Sequence, residues 1–124
     1  MKKVIATSEA PKAVGPYSQA IEVNGTLYIS GQIPVNPADG TVQEEITAAA
    51  HQSLKNIGAI LREAGMRYDN VVKTTVLLAD IADFKAVNEV YAEYFTGDKP
   101  ARACYQAAAL PLGVKVEIEA IAVR

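Results

Sequence analysis

One ten-residue stretch, Val114-Lys115-Val116-Glu117-Ile118-Glu119-Ala120-Ile121-Ala122-Val123, constrains this chain more than any other. Its two-residue alternation predicts a β-strand. Val116, Ile118, Ala120 and Ala122 form one uniformly apolar face, which needs a covering layer. Lys115, Glu117, Glu119, Ile121 and Val123 form the other, charged at its near end and apolar at its far end. A simply solvated face would be polar throughout, and a strand buried on both sides would carry no charge. The pattern implies a sheet covered on one side by helices and on the other by a second subunit.

The remaining elements follow from local signals. Asn24-Gly25 lies between strand-like segments Ser18 to Val23 and Thr26 to Ser30, which predicts a β-hairpin with a two-residue turn. Gly31 to Gly40 holds two prolines and two glycines and reads as a loop. Thr41 to Glu44 has capping-box spacing, and Ile46, Ala50, Leu54, Ile57, Leu61 and Ala64 recur with helical period up to Gly65. Val71 to Leu78 is rich in β-branched residues and reads as a strand. A second helix is expected from Asp83 as cap through Phe84, Val87, Tyr91 and Tyr94 as an inward stripe, with exit at Gly97. Cys104 to Ala108 is a further short strand. The 124 residues, half of them hydrophobic and 21% charged, suit one packed domain over 1–124.

Composition removes several function classes. Twelve basic against 14 acidic residues leave a net charge of −2, too little positive charge for a surface that neutralises a phosphate backbone. Nucleic acid is therefore not an expected partner. The single cysteine, Cys104, excludes an internal disulfide, and no CxxC pair or histidine cluster offers a metal site. No segment has the apolar length of a membrane span, and Glu9 interrupts the N-terminus before a signal-peptide core develops. The expected location is the cytoplasm. P-loop, dinucleotide fingerprint, zinc and nucleophile-elbow patterns are all absent.

What remains is a set of polar groups in apolar or Pro/Gly-rich surroundings, each with two readings. Arg102 presents a fork of donors suited to a carboxylate, or makes a structural ion pair. Glu117, between Val116 and Ile118, is placed for proton transfer after partial desolvation, or pairs with Lys115 or Arg102. Cys104 is a nucleophile or, better, a small buried thiol, since the only histidine, His51, lies on the first helix as a surface or boundary residue. Ser30-Gly31 allows close backbone approach of a ligand or is a strand exit. Tyr17 is an anchored phenol or an apolar plug, and Asn88 a cap, a surface amide or a site residue.

Taken together these residues resemble the RidA/YjgF family of reactive intermediate deaminases. The match is carried by Pro100-Ala101-Arg102-Ala103-Cys104, Leu110-Pro111 and Val116-Glu117-Ile118-Glu119-Ala120. It is supported by Gly15-Pro16-Tyr17-Ser18-Gln19, Ile29-Ser30-Gly31-Gln32-Ile33-Pro34, Val72-Lys73-Thr74-Thr75-Val76 and Phe84-Lys85-Ala86-Val87-Asn88. The resemblance implies an α+β fold, a mixed six-stranded sheet backed by two helices in chorismate-mutase-like fashion, assembled as a homotrimer with a site in each intersubunit cleft. It implies hydrolysis of 2-imino acids from pyridoxal-phosphate-dependent dehydratases, such as 2-iminobutanoate and 2-iminopropanoate, to 2-oxo acids and ammonia, with no cofactor and no metal. Arg102 then clamps the substrate carboxylate, Glu117 positions or activates the water, and Tyr17, Ser30, Gly31, Asn88 and Cys104 line the pocket. Lys99 stands where relatives often carry an aromatic residue, a departure that bears on substrate preference. Two rivals accompany this reading: a non-catalytic trimer binding a small carboxylate such as a 2-oxo acid, and a ribonuclease role, against which the acidic balance counts.

Overall fold

Asn24 and Gly25 take φ of 50° and 79°, the left-handed pair that closes a two-residue hairpin, and the sheet grows outward from this turn. The computed structural model describes residues 1–124. Its strands are β1 (Lys3–Ile5), β2 (Ala20–Val23), β3 (Thr26–Gln32), β4 (Val71–Leu78), β5 (Ala101–Gln106) and β6 (Val116–Val123), and its helices α1 (Ile46–Glu63) and α2 (Phe84–Tyr94). The spatial order is β1-β2-β3-β6-β4-β5. Only β4 and β5 pair in parallel; β6 runs antiparallel between β3 and β4. The chain crosses from β3 to β4 through α1 and from β4 to β5 through α2. Both helices land on one face, giving the two-layer α+β arrangement that the resemblance implied.

The helix-facing layer is the core. Leu54, Ile57, Ile60 and Leu61 of α1 meet Leu27 and Ile29 of β3, Val76 and Leu78 of β4, and Val116, Ile118, Ala120 and Ala122 of β6 within one buried cluster. Each large aliphatic chain buried there contributes about 1.5–3 kcal/mol. β6 thus buries the face read as apolar and leaves Glu117, Glu119, Ile121 and Val123 on the other.

Several boundaries differ from expectation. α1 is capped by Glu45, whose carboxylate accepts from the N–H groups of Thr47 (2.7 Å) and Ala48 (3.3 Å). Thr41 instead bonds the Asp39 carboxylate, because a bridge between Val35 and Val42 keeps the chain extended past it. Gly65 ends the helix at φ 71°, as read. Asp83 makes no capping bond. Asp80 does so one turn earlier, accepting from Ala82 N–H at 2.9 Å ahead of a 3-10 turn over Ile81–Asp83. α2 stops at Tyr94, not Gly97, because Phe95 turns inward against Tyr91 and Tyr68. Phe84, expected inward, is 39% exposed.

β3 extends through Gly31 and Gln32 into the expected loop, and β5 starts at Ala101 rather than Cys104, since its ladder with β4 begins at Lys73↔Ala101. The sixth strand, β1, is too short to show a period and forms only by pairing with β2. His51 is a boundary residue as read, its Nδ1 2.7 Å from the Tyr94 hydroxyl.

Candidate active site

Glu117 leaves β6 on the face away from the helices and enters a groove of ≈ 400 Å³ lined by Tyr17, Ser30, Gly31, Ile33, Pro111, Glu117 and Glu119. A register shift between β3 and β6 at Ile29/Gln32 bulges Ser30 and Gly31 toward this groove. A Cβ on Gly31 would lie 2.0 Å from Glu117 Oε2 and 2.9 Å from its Cδ, so only glycine lets the carboxylate rest against the β3 backbone. The Ser30 hydroxyl donates to the Ser18 carbonyl at 2.6 Å, and its N–H to the Gln19 carbonyl at 2.9 Å. These bonds tie the segment carrying Tyr17 to the groove.

Neither Lys115 nor Arg102 pairs with Glu117, so the structural-ion-pair alternative falls. Burial pushes the Glu117 carboxyl above the ordinary glutamate range, and the charge of Glu119, two residues along the same face, adds to the shift. Such a carboxyl suits exchange of a proton with a bound water or nitrogen.

The second group lies on the other side of the sheet. Arg102 faces Thr74 of β4 in register, and Thr74 faces Ala120 of β6, both buried beneath the helices. Its guanidinium lies over the rings of Tyr91 (4.9 Å to the centroid) and Phe84 (5.5 Å), and Nη1 donates to Asn88 Oδ1 at 2.7 Å. Nε and Nη2 have no hydrogen-bond partner, and no carboxylate pairs with this arginine. Two donors therefore point free from a half-buried cation, a seat for a planar anion such as a carboxylate.

Cys104, two residues on, packs against the core on the same side. Burial raises its thiol pKa, with Arg102 opposing the shift, which favours the packing reading over the nucleophile.

The fold therefore brings Tyr17, Ser30, Gly31 and Glu117 together, and Asn88, Arg102 and Cys104 together, but holds the two groups on opposite faces of one sheet. Phe84, Tyr91, Glu119 and Pro111 are neighbours that sequence reading left out. Phe84, Asn88 and Tyr91 are spaced at four and three residues, one face of α2, and that spacing was the available signal.

Comparison with known proteins bears on this geometry. The model of the endoribonuclease L-PSP family matches residues 7–124. The chain belongs to this family. A relative from Mus musculus named 2-iminobutanoate/2-iminopropanoate deaminase is 58% identical over 125 aligned positions, covering 100% of this chain and 93% of the relative. Among solved structures, a Rid-family protein from Yersinia pestis matches with a TM-score of 0.97 at 49% identity, covering 100% of each chain. Escherichia coli TdcF with bound serine matches with a TM-score of 0.96 at 43% identity, covering 98% of each. The RidA/YjgF resemblance and its six-stranded, two-helix fold thus hold for this chain.

Proposed function

We propose that this chain is a 2-iminobutanoate/2-iminopropanoate deaminase, hydrolysing a 2-imino acid and water to a 2-oxo acid and ammonia. The observation that carries the reading is Arg102, a half-buried guanidinium with two donors unused and no carboxylate of its own. Its fork receives the substrate carboxylate bidentately. Glu117 orients a water, takes its proton as oxygen adds to the imine carbon and passes it to nitrogen, then takes the hydroxyl proton of the carbinolamine and delivers it to nitrogen as the C–N bond breaks and the carbonyl forms. Imines hydrolyse unaided in water, so orientation and a placed proton acceptor suffice, and neither a covalent nucleophile nor a metal is needed. Ser30, Gly31 and Tyr17 shape the Glu117 side, and Asn88 and Cys104 the Arg102 side. The mouse relative's name and the serine held by TdcF, a small molecule with an α-carboxylate, support this assignment.

Because the two groups face apart in one protomer, the site is completed between protomers, Arg102 from one and Glu117 from its neighbour, in a closed homotrimer. Half-exposed Tyr28 and partly buried Ile121 on the open sheet face supply apolar surface for that contact. The family description names an RNA-cleaving activity, but the Glu117 groove holds two carboxylates and no basic side chain, an arrangement that repels a phosphate backbone.

The test generates 2-iminobutanoate in situ from threonine with a threonine dehydratase and follows 2-oxobutanoate. Wild-type protein accelerates its appearance, and Arg102→Ala and Glu117→Gln each reduce the effect by about 10²-fold or more. A wild-type oligomer that leaves the rate unchanged sinks the deaminase reading. Binding of 2-oxobutanoate without turnover would instead support the carboxylate-binding module.

A further inference from the structure

Arg102 is held by more than Asn88. Behind the guanidinium, the Tyr91 hydroxyl and the Thr74 Oγ1 meet at 2.7 Å in the core, where Thr74 is 1% and Tyr91 6% exposed. Tyr91 therefore cannot swing out from beneath Arg102 without leaving two buried hydroxyls unpaired. Its ring is the nearer of the two beneath Arg102, 4.9 Å from Cζ. Thr74 is also the register partner of Arg102 on the adjacent strand, so one β-ladder rung carries both the anchor and the group it serves.

We infer that Tyr91, anchored through its hydroxyl to Thr74, is a positioning residue that holds the Arg102 guanidinium where its unpaired edge meets the ligand carboxylate. With the ring beneath the guanidinium and Asn88 bonded to Nη1, the edge formed by Nε and Nη2 carries no partner and is open to a bidentate ligand. That edge matches the two coplanar oxygens of a carboxylate. The inference deepens the deaminase reading, on which it rests for the role of Arg102.

The test uses the intact oligomer, with 2-oxobutanoate as probe and inorganic phosphate as control, measuring dissociation constants by calorimetry alongside melting temperature. Tyr91→Leu, which removes the ring, weakens 2-oxobutanoate binding by about tenfold, the scale of a desolvated cation–π contact. Tyr91→Phe keeps the ring and strands the Thr74 hydroxyl, lowering the melting temperature and weakening binding severalfold.

The deciding variant is the double substitution Thr74→Val with Tyr91→Phe. It removes both hydroxyls, so the melting temperature recovers while the weakened binding of 2-oxobutanoate persists. If binding recovers together with melting temperature, or if Tyr91→Leu binds as wild type does, Tyr91 is structural only and the inference fails. Arg102→Ala separates this failure from that of the parent reading. If it too leaves 2-oxobutanoate binding intact, Arg102 is not the clamp at all.

Discussion

The Glu117 and Arg102 groups sit on one sheet yet are built by different means. Glu117 is placed by absence: a bulge and a missing side chain at Gly31 leave room for a carboxylate against bare backbone, and a second carboxylate stands nearby. Arg102 is placed by presence: two aromatic rings, an amide and a buried hydroxyl pair surround its guanidinium. One environment makes charge costly and so keeps a proton mobile; the other stabilises a permanent cation and aims its free donors. A site that must both hold a carboxylate and move a proton gains from keeping these environments apart. Opposite faces of a sheet do so, provided a neighbouring subunit rejoins them.

Subunit mixing breaks or confirms that separation outright. The Arg102→Ala and Glu117→Gln variants, each inactive, are unfolded and refolded together at equal amounts. If each site takes Arg102 from one chain and Glu117 from the next, about a quarter of wild-type activity returns through statistical assembly of intact sites. Recovery of none would place both residues in one protomer's site.

Gly31→Ala tests the Glu117 side alone. The new Cβ meets the far end of a flexible side chain, so the carboxylate moves while the fold holds. Turnover falls about 10²-fold, the scale of a misplacement near 1 Å, with binding of 2-oxobutanoate by Arg102 retained. Equal loss of both would show that the two groups are not independent.

The raised Glu117 pKa has two consequences, and their signs are opposite for activity and stability. On the proposed role of the carboxylate as proton acceptor, activity rises with pH through a value above the ordinary glutamate range, seen in the acid limb of the rate profile. Because the folded-state pKa exceeds the unfolded one, the contribution of Glu117 to stability is full below the unfolded value and is lost as pH rises through the folded value. Glu117→Gln removes that loss, so at neutral pH the variant melts slightly above wild type while inactive, and the difference vanishes in acid. A variant that melts below wild type at pH 7 would show that the carboxylate is stabilised in place.

The smallest effect lies at the groove's rim. Leu112, next to Pro111, has φ 57° and is 76% exposed, so its side chain opposes the left-handed backbone and packs on little within the protomer. Leu112→Gly relieves about 1 kcal/mol of that strain and returns part of it as added entropy of the unfolded chain, a net stabilisation of about 0.5 kcal/mol. Thermal melts resolve it, and a loss instead would assign Leu112 to the contact between protomers.

Much of this is legible in the amino-acid sequence. Asn24-Gly25, the α1 stripe and β6 were readable because turn chemistry and periodicity are local properties of the chain. The helix caps were not. Whether Thr41 or Glu45 ends the loop depends on the Val35–Val42 bridge, and whether Gly97 or Phe95 ends α2 depends on where an aromatic ring finds room. Tyr91 read as a core residue and is one, but its second role toward Arg102 appears only when β5 lies beside β4.

The sequence by itself determined that β6 would have two unlike faces, that two helices would cover one of them, and which polar residues were candidates for chemistry. Those outcomes rest on side-chain alternation and hydrophobicity, which any register preserves. Only the tertiary structure decided that Arg102 and Glu117 stand on opposite faces, that Gly31 lies against the Glu117 carboxylate, and that Thr74 bonds the hydroxyl of the ring beneath Arg102. Each of these depends on strand order and on a one-residue register shift at Ser30-Gly31, set by long-range pairing that no local pattern encodes.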